Sequence, residues 1–181
     1  MRCNNTYVAV YNPGKQQMND PILKLASKIS SILIEHLGTN LISVCLFGSA
    51  VRGALRNGSD IDFLIVLEDA PLSYHKRAKT IIHLLEEIRE SKEYGKIENL
   101  NLDLEPSFLI MTKMEVETHP NILIDISHEG IILFDKEDYF KKHLNEIKEK
   151  MIGLGSIKKR TPHGHYWVLK PDLRPGEVFE L

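Results

Sequence analysis

Two short apolar runs constrain this chain more than any other feature. Leu41-Ile42-Ser43-Val44-Cys45-Leu46-Phe47 and Ile61-Asp62-Phe63-Leu64-Ile65-Val66-Leu67 are both rich in β-branched or aromatic residues and are too short for ordinary helices. Gly48 ends the first, and Ser59-Asp60 precedes the second. Runs of this kind read as strands buried on both faces, which requires helices packed against the sheet they form. The chain supplies such helices. Asp20-Pro21 offers a cap and a first-turn proline, and Ile22, Leu25, Ile29, Ile32, Leu33 and Leu37 recur at helical spacing until Gly38. A long helix is expected over Ser73 to Lys92 with Ile81, Ile82, Leu84, Leu85 and Ile88 turned inward, and a short helical turn within Ser49 to Ser59.

Further along, leucine alternates with polar residues from Asn99 to Glu105, a period of two that predicts a strand running past Pro106 to Met111. A helical stretch at Ile122 to Ser127, a strand at Ile131 to Phe134 and a helix over Lys136 to Leu154 follow. Thr161-Pro162-His163-Gly164 then separates Ile157 to Arg160 from Tyr166 to Leu169, a turn composition that predicts a hairpin. The expected fold is a mixed sheet with flanking helices and a C-terminal β-hairpin, α/β or α+β by class. Its organisation is an arm at 1–19, a principal domain at 20–154, and a hairpin extension at 155–181 packed on that domain.

Composition narrows the function. At 181 residues and 43% hydrophobic, the chain can bury one core unaided. A net charge of −2 argues against general nucleic-acid binding, which leaves a basic surface; Lys158, Lys159 and Arg160 read as solvated. No apolar run is long enough to span a bilayer, and no basic segment leads into an apolar one at the N-terminus, so a cytoplasmic protein without membrane association is expected. Cys3 and Cys45 suggest neither a disulfide framework nor a zinc site. His163 and His165 match no zinc spacing, and Tyr166 and Trp167 read as residues that pack the hairpin onto the domain.

The chemistry concentrates between the two apolar runs. Asp60 and Asp62 stand two apart on a strand, so both carboxylates point to one side while Ile61 and Phe63 point to the other. Two oxygen donors aimed at one point suit Mg²⁺, with Mn²⁺ as a substitute, because Mg²⁺ fills its remaining positions with water and substrate phosphate. Gly48 lets a phosphate approach the backbone, Ser49 adds a hydroxyl, and Arg52 and Ser59 complete the candidate nucleotide contacts. Asp103 and Glu105 share a face of their expected strand, and either could join the pair.

An apolar strand, Gly48-Ser49, ten intervening residues, Asp60-Ile61-Asp62 and a second apolar strand resemble the signature of the DNA polymerase beta nucleotidyltransferase superfamily. The size resembles the minimal nucleotidyltransferase branch. The motif covers residues 41–67, and the order of elements extends the likeness to residue 154. The resemblance implies a turn at Gly48 and Ser49 that holds a triphosphate, a two-metal site in which Asp60 and Asp62 bind the ions, and a third acid on a neighbouring strand that joins them and activates the incoming hydroxyl, for which Asp103 is the best match. It further implies transfer of a nucleoside monophosphate, AMP from ATP, to a hydroxyl with release of pyrophosphate. As acceptor, a side chain of a partner such as a HEPN-domain toxin comes first, an aminoglycoside-like molecule second and a nucleic-acid end third. The competing reading is a catalytically weak nucleotide-binding or antitoxin-type protein that acts by docking.

Overall fold

The computed structural model describes residues 21–99, 103–162 and 164–180. The arm at 1–19, Asp20, Cys3, residues 100–102 of the expected third strand, and His163 lie outside them.

Helix α1 (Pro21–Leu37) and a 3-10 turn at Gly38–Asn40 lead into β1 (Leu41–Phe47), and β2 (Asp60–Leu67) follows the Gly48 to Ser59 connection. Next come α2 (Tyr74–Ile82), α3 (Leu84–Arg89), α4 (Lys92–Glu98) and β3 (Glu105–Thr112). Then α5 (Lys113–Glu117), α6 (Ile122–Glu129), β4 (Ile131–Asp135) and α7 (Tyr139–Gly153) precede the hairpin of β5 (Ile157–Thr161) and β6 (Gly164–Val168). The main sheet has the order β3-β2-β1-β4. β1 is antiparallel to both β2 and β4, and β2 is parallel to β3. This is the mixed sheet with flanking helices expected from the sequence.

Strand parity sorts the core into two layers. Ile61, Phe63, Ile65 and Leu67 of β2 join Leu25, Ile29 and Leu33 of α1 and Ile88 and Ile97 of α3 and α4 on one side. Leu64 and Val66 join Ile126 of α6 and Phe140, Leu144 and Ile147 of α7 on the other. An interior strand must offer apolar groups on both faces. On β2 the second face changes character at one end, from Val66 and Leu64 to Asp62 and Asp60.

Five local expectations need correction. The helix foreseen over Ser73 to Lys92 is two shorter helices, α2 and α3, broken at His83 and ended at Glu90-Ser91, with α4 beginning at Lys92. The Ser91 hydroxyl accepts from Tyr94 N at 3.2 Å and donates to Ile88 O at 2.6 Å, which ends one helix and caps the next. Ile82, expected inward, is exposed. The helix foreseen from Lys136 begins at Tyr139, because Glu137 and Asp138 take positive φ and Asp135 instead accepts from the backbone N–H groups of Phe140 and Lys141, each at 3.0 Å. Residues 49–59 form successive turns and no helix, with Gly53 and Gly58 at positive φ. Finally, β3 begins at Glu105: Asn99 is the C-cap of α4, and Asp103 precedes the strand.

The hairpin lies against α6. Trp167 and Leu169 pack on the second core layer, and His165 Nε2 and Trp167 Nε1 both meet Asp125 Oδ1, at 2.8 and 2.9 Å. Tyr166, on the other face, is half exposed. Among the described residues no helix is long and apolar enough to cross a membrane.

Candidate active site

The site forms where β1 ends and β2 begins. Phe47 is the register partner of Asp62, so the turn at Gly48 passes directly over that carboxylate. Gly48 has φ +75°, and a Cβ built there would collide with Asp62 Oδ2 and stand 3.1 Å from its Cγ. Only glycine gives both the left-handed backbone and the room. The close approach between backbone and carboxylate is therefore written into the sequence at residue 48.

Asp60 is exposed and Asp62 half-buried. The Asp62 carboxyl titrates above the ordinary carboxylate range because burial disfavours its charge and Asp60 repels it, while Arg52 partly offsets both. A cation between the two acids would relieve that strain. Among the described residues no group of three or more His, Cys, Asp or Glu side chains is placed to hold a metal by itself. A carboxylate pair of this kind would suit a hard cation that completes its shell with water and phosphate oxygens.

The other expected residues fall as follows. Ser49 is partly buried in the turn, and its carbonyl accepts from Ala54 N at 3.0 Å. Ser59 Oγ accepts from Arg56 N at 2.9 Å and shapes the entry to β2. Since no helix opens after Ser49, a phosphate here would meet turn N–H groups and not a helix N-terminus. Arg52 Nη1 donates to Glu129 Oε2 at 3.2 Å while remaining near enough to influence Asp62.

Glu105, and not Asp103, is the register partner of Asp60 on parallel β3, with Ser107 opposite Asp62. Asp103 is exposed, and its backbone is tied to the connection: its N–H donates to Asn57 Oδ1 at 2.8 Å and its carbonyl accepts from Gly58 N at 2.9 Å. The Glu105 carboxylate is engaged by Arg89 Nη2 at 2.9 Å and the Tyr94 hydroxyl at 3.3 Å. Burial, followed by the Glu105 charge, raises the Tyr94 phenol and keeps it a donor. Arg89, Tyr94 and Glu129 carry no motif in the sequence, and Lys158, read there as solvated, is instead mostly buried against Trp167 and paired with Glu129. Glu129 alone carried a signal, as an acid placed just before the Gly130 that ends a helical run.

A strand, a glycine turn, a carboxylate pair and a parallel strand bearing a further acid define a nucleotidyltransferase-type site. The model of the nucleotidyltransferase domain family matches residues 26–133, well over half of the chain, and the chain belongs to that family. It is 32% identical over 156 residues to spectinomycin 9-adenylyltransferase of Enterococcus faecalis, an alignment covering 84% of this chain and 59% of that protein. The chain thus spans little more than half the length of that relative. A putative protein adenylyltransferase of Methanocaldococcus jannaschii is 24% identical over 114 residues, 63% of this chain and 72% of that one. Among solved structures, an Enterococcus spectinomycin adenyltransferase with ATP and spectinomycin superposes with a TM-score of 0.45 at 18% identity, covering 73% of this chain and 66% of that one. A toxin–antitoxin structure with AMP-PNP gives 0.44 at 17%, covering 71% and 88%.

Proposed function

We propose that this chain transfers AMP from ATP to a hydroxyl, with Asp60 and Asp62 holding Mg²⁺. The observation that carries this reading is the fit between Gly48 and Asp62: a backbone turn that must be glycine lies against one of two mutually repelling carboxylates. In the reaction the acceptor oxygen bonds to the α-phosphorus, the bond from that phosphorus to the bridging oxygen of the β-phosphate breaks, and pyrophosphate leaves. A Mg²⁺ ion held by Asp60 and Asp62 would supply Lewis-acid chemistry, lowering the acceptor's pKa and offsetting charge on the leaving phosphates. The turn at Gly48 and Ser49 orients the triphosphate, Arg52 offers it a guanidinium, and Ser59 shapes the rim. The third carboxylate takes the acceptor's proton. The strand register supports Glu105 for that role over Asp103, since Glu105 stands opposite Asp60 and Asp103 precedes the strand.

The acceptor we favour is a hydroxyl on a partner protein, of the HEPN-toxin kind, which suits a chain of net charge −2. A second reading, an aminocyclitol or aminoglycoside acceptor, is favoured by the 32% identity to a spectinomycin-modifying enzyme. The test has two stages. Mg²⁺ or Mn²⁺ with ATP should raise the melting temperature, because a ligand held only by the folded state stabilises it, and ATP alone should do less. Labelled AMP should then pass to the acceptor, and Asp60→Asn or Asp62→Asn should abolish transfer without unfolding the chain. Transfer to spectinomycin and not to a co-encoded helical protein would establish the second reading. Mg–ATP binding with transfer to neither would favour a protein that acts by docking. A melting temperature indifferent to millimolar Mg–ATP would overturn the site itself.

A further inference from the structure

Glu129 closes α6, where an acid faces the negative end of the helix dipole, and it is only 21% exposed. Its two oxygens are divided between two cations from distant parts of the chain. Oε2 accepts from Arg52 Nη1 at 3.2 Å, and Oε1 accepts from Lys158 Nζ on β5. Burial works to raise the Glu129 carboxyl, but the hydrogen bonds from Lys158 and Arg52 outweigh it and hold the group below its ordinary range. Lys158 is itself confined, lying 5.5 Å from the centroid of the Trp167 ring, whose N–H is fixed to Asp125 one turn earlier on α6.

We propose that Glu129 is a positioning residue that aims Arg52 at the triphosphate, and that Lys158 of the C-terminal hairpin holds Glu129 in place to do so. The inference deepens the transferase reading and rests on it. Arg52 spends one N–H on Glu129, and the remaining donors of its fork stay free for phosphate oxygens. A carboxylate anchored by a second cation has little rotamer freedom left to lose, so the guanidinium it holds is delivered already ordered, and ordering side chains is a principal cost of binding. Partly exposed ion pairs add little to stability. The three residues should accordingly matter more for nucleotide affinity than for folding.

The test is a double-mutant cycle on the full chain, read as the Mg–ATP dissociation constant by titration calorimetry. Arg52→Met should weaken binding about tenfold, the scale of one charge-assisted phosphate contact. Glu129→Gln should weaken it about threefold to fivefold, and the Arg52→Met/Glu129→Gln double variant should be no weaker than Arg52→Met alone, because Glu129 acts only through Arg52. Lys158→Met should resemble Glu129→Gln, and Lys158→Arg should restore affinity. If Glu129→Gln fails to fold, the cycle of Arg52→Met with Lys158→Met carries the same prediction. Additive losses in the cycle, or an unchanged dissociation constant in Glu129→Gln, would overturn the inference while leaving the transferase reading intact. A wild-type chain that binds no Mg–ATP would overturn both.

Discussion

Replacing Gly48 by alanine separates the two demands made on that residue, with Gly58 as an internal control. Both glycines have φ +75°, but a Cβ at Gly58 meets nothing within 4 Å, whereas one at Gly48 meets Asp62. Gly58→Ala should therefore cost only the left-handed backbone, about 1–2 kcal/mol. Gly48→Ala bears the same cost and must also push the Asp62 side chain out of its rotamer, a further ~1 kcal/mol for a displacement of some tens of degrees. For a chain of this size each kcal/mol lowers the melting temperature by about 2–4 °C, so Gly48→Ala should melt a few degrees below Gly58→Ala. The larger contrast is in function. Gly58→Ala should keep Mg–ATP binding, whereas Gly48→Ala, with Asp62 displaced, should lose about tenfold or more, the equivalent of 1.4 kcal/mol. Urea unfolding gives the stabilities, and the Mg–ATP thermal shift reports the site. Equal loss of Mg–ATP binding in the two variants would refute the reasoning, because the Asp62 contact would then have no consequence of its own.

Glu105→Gln should cut turnover about a hundredfold with Mg–ATP binding nearly unchanged, the scale of losing a general base, while Asp103→Asn should do little; the opposite ranking in a single-turnover assay would return the role to Asp103. The hairpin should respond to acid: hydrogen bonds from His165 and Trp167 hold Asp125 low, and those from Lys158 and Arg52 hold Glu129 low, in each case against burial. Carboxyls depressed in the folded state stabilise it above their unfolded pKa and lose that contribution as pH falls through the folded value. Undocking of the hairpin, read as limited proteolysis between α7 and β5 against pH, should then set in at acid pH below about 4, the ordinary carboxylate region. Undocking centred well above that would show that another group controls docking.

The elements legible in the sequence were those whose pattern is local. α1, β1 and β2 could be read from period and punctuation alone, and Asp60 and Asp62 from their place on one side of a strand. What failed was governed by side-chain chemistry or by distant pairing. Ser91 sits at the break between α3 and α4 with extended backbone, where its hydroxyl caps Tyr94 N and donates to Ile88 O. The alternation from Asn99 to Glu105 reads as a strand, yet Asn99 closes α4 and Asp103 gives its backbone groups to Asn57 and Gly58. The choice between Asp103 and Glu105 was illegible for a deeper reason. A shift of one residue moves a side chain to the other face, but a shift of two keeps the face and changes only the partner. Periodicity therefore leaves Asp103 and Glu105 equivalent, and only the pairing of β3 with β2 tells which of them stands opposite Asp60.

The same geometry explains why the acids sit at one end of β2. Toward its C-terminal end, Leu64 and Val66 are buried under α6 and α7, where an unpaired carboxylate would be expelled or neutralised. Asp60 lies beyond that cover and is exposed. Asp62 is at the boundary, half-buried, where burial and the neighbouring Asp60 charge raise its carboxyl and Arg52 lowers it. The other attachment of Arg52, to Glu129, keeps it at the rim. On the proposed transferase reading, a metal–triphosphate complex would bring a cation to Asp62 and a phosphate to Arg52 together, which neither a bare metal nor a bare nucleotide would do.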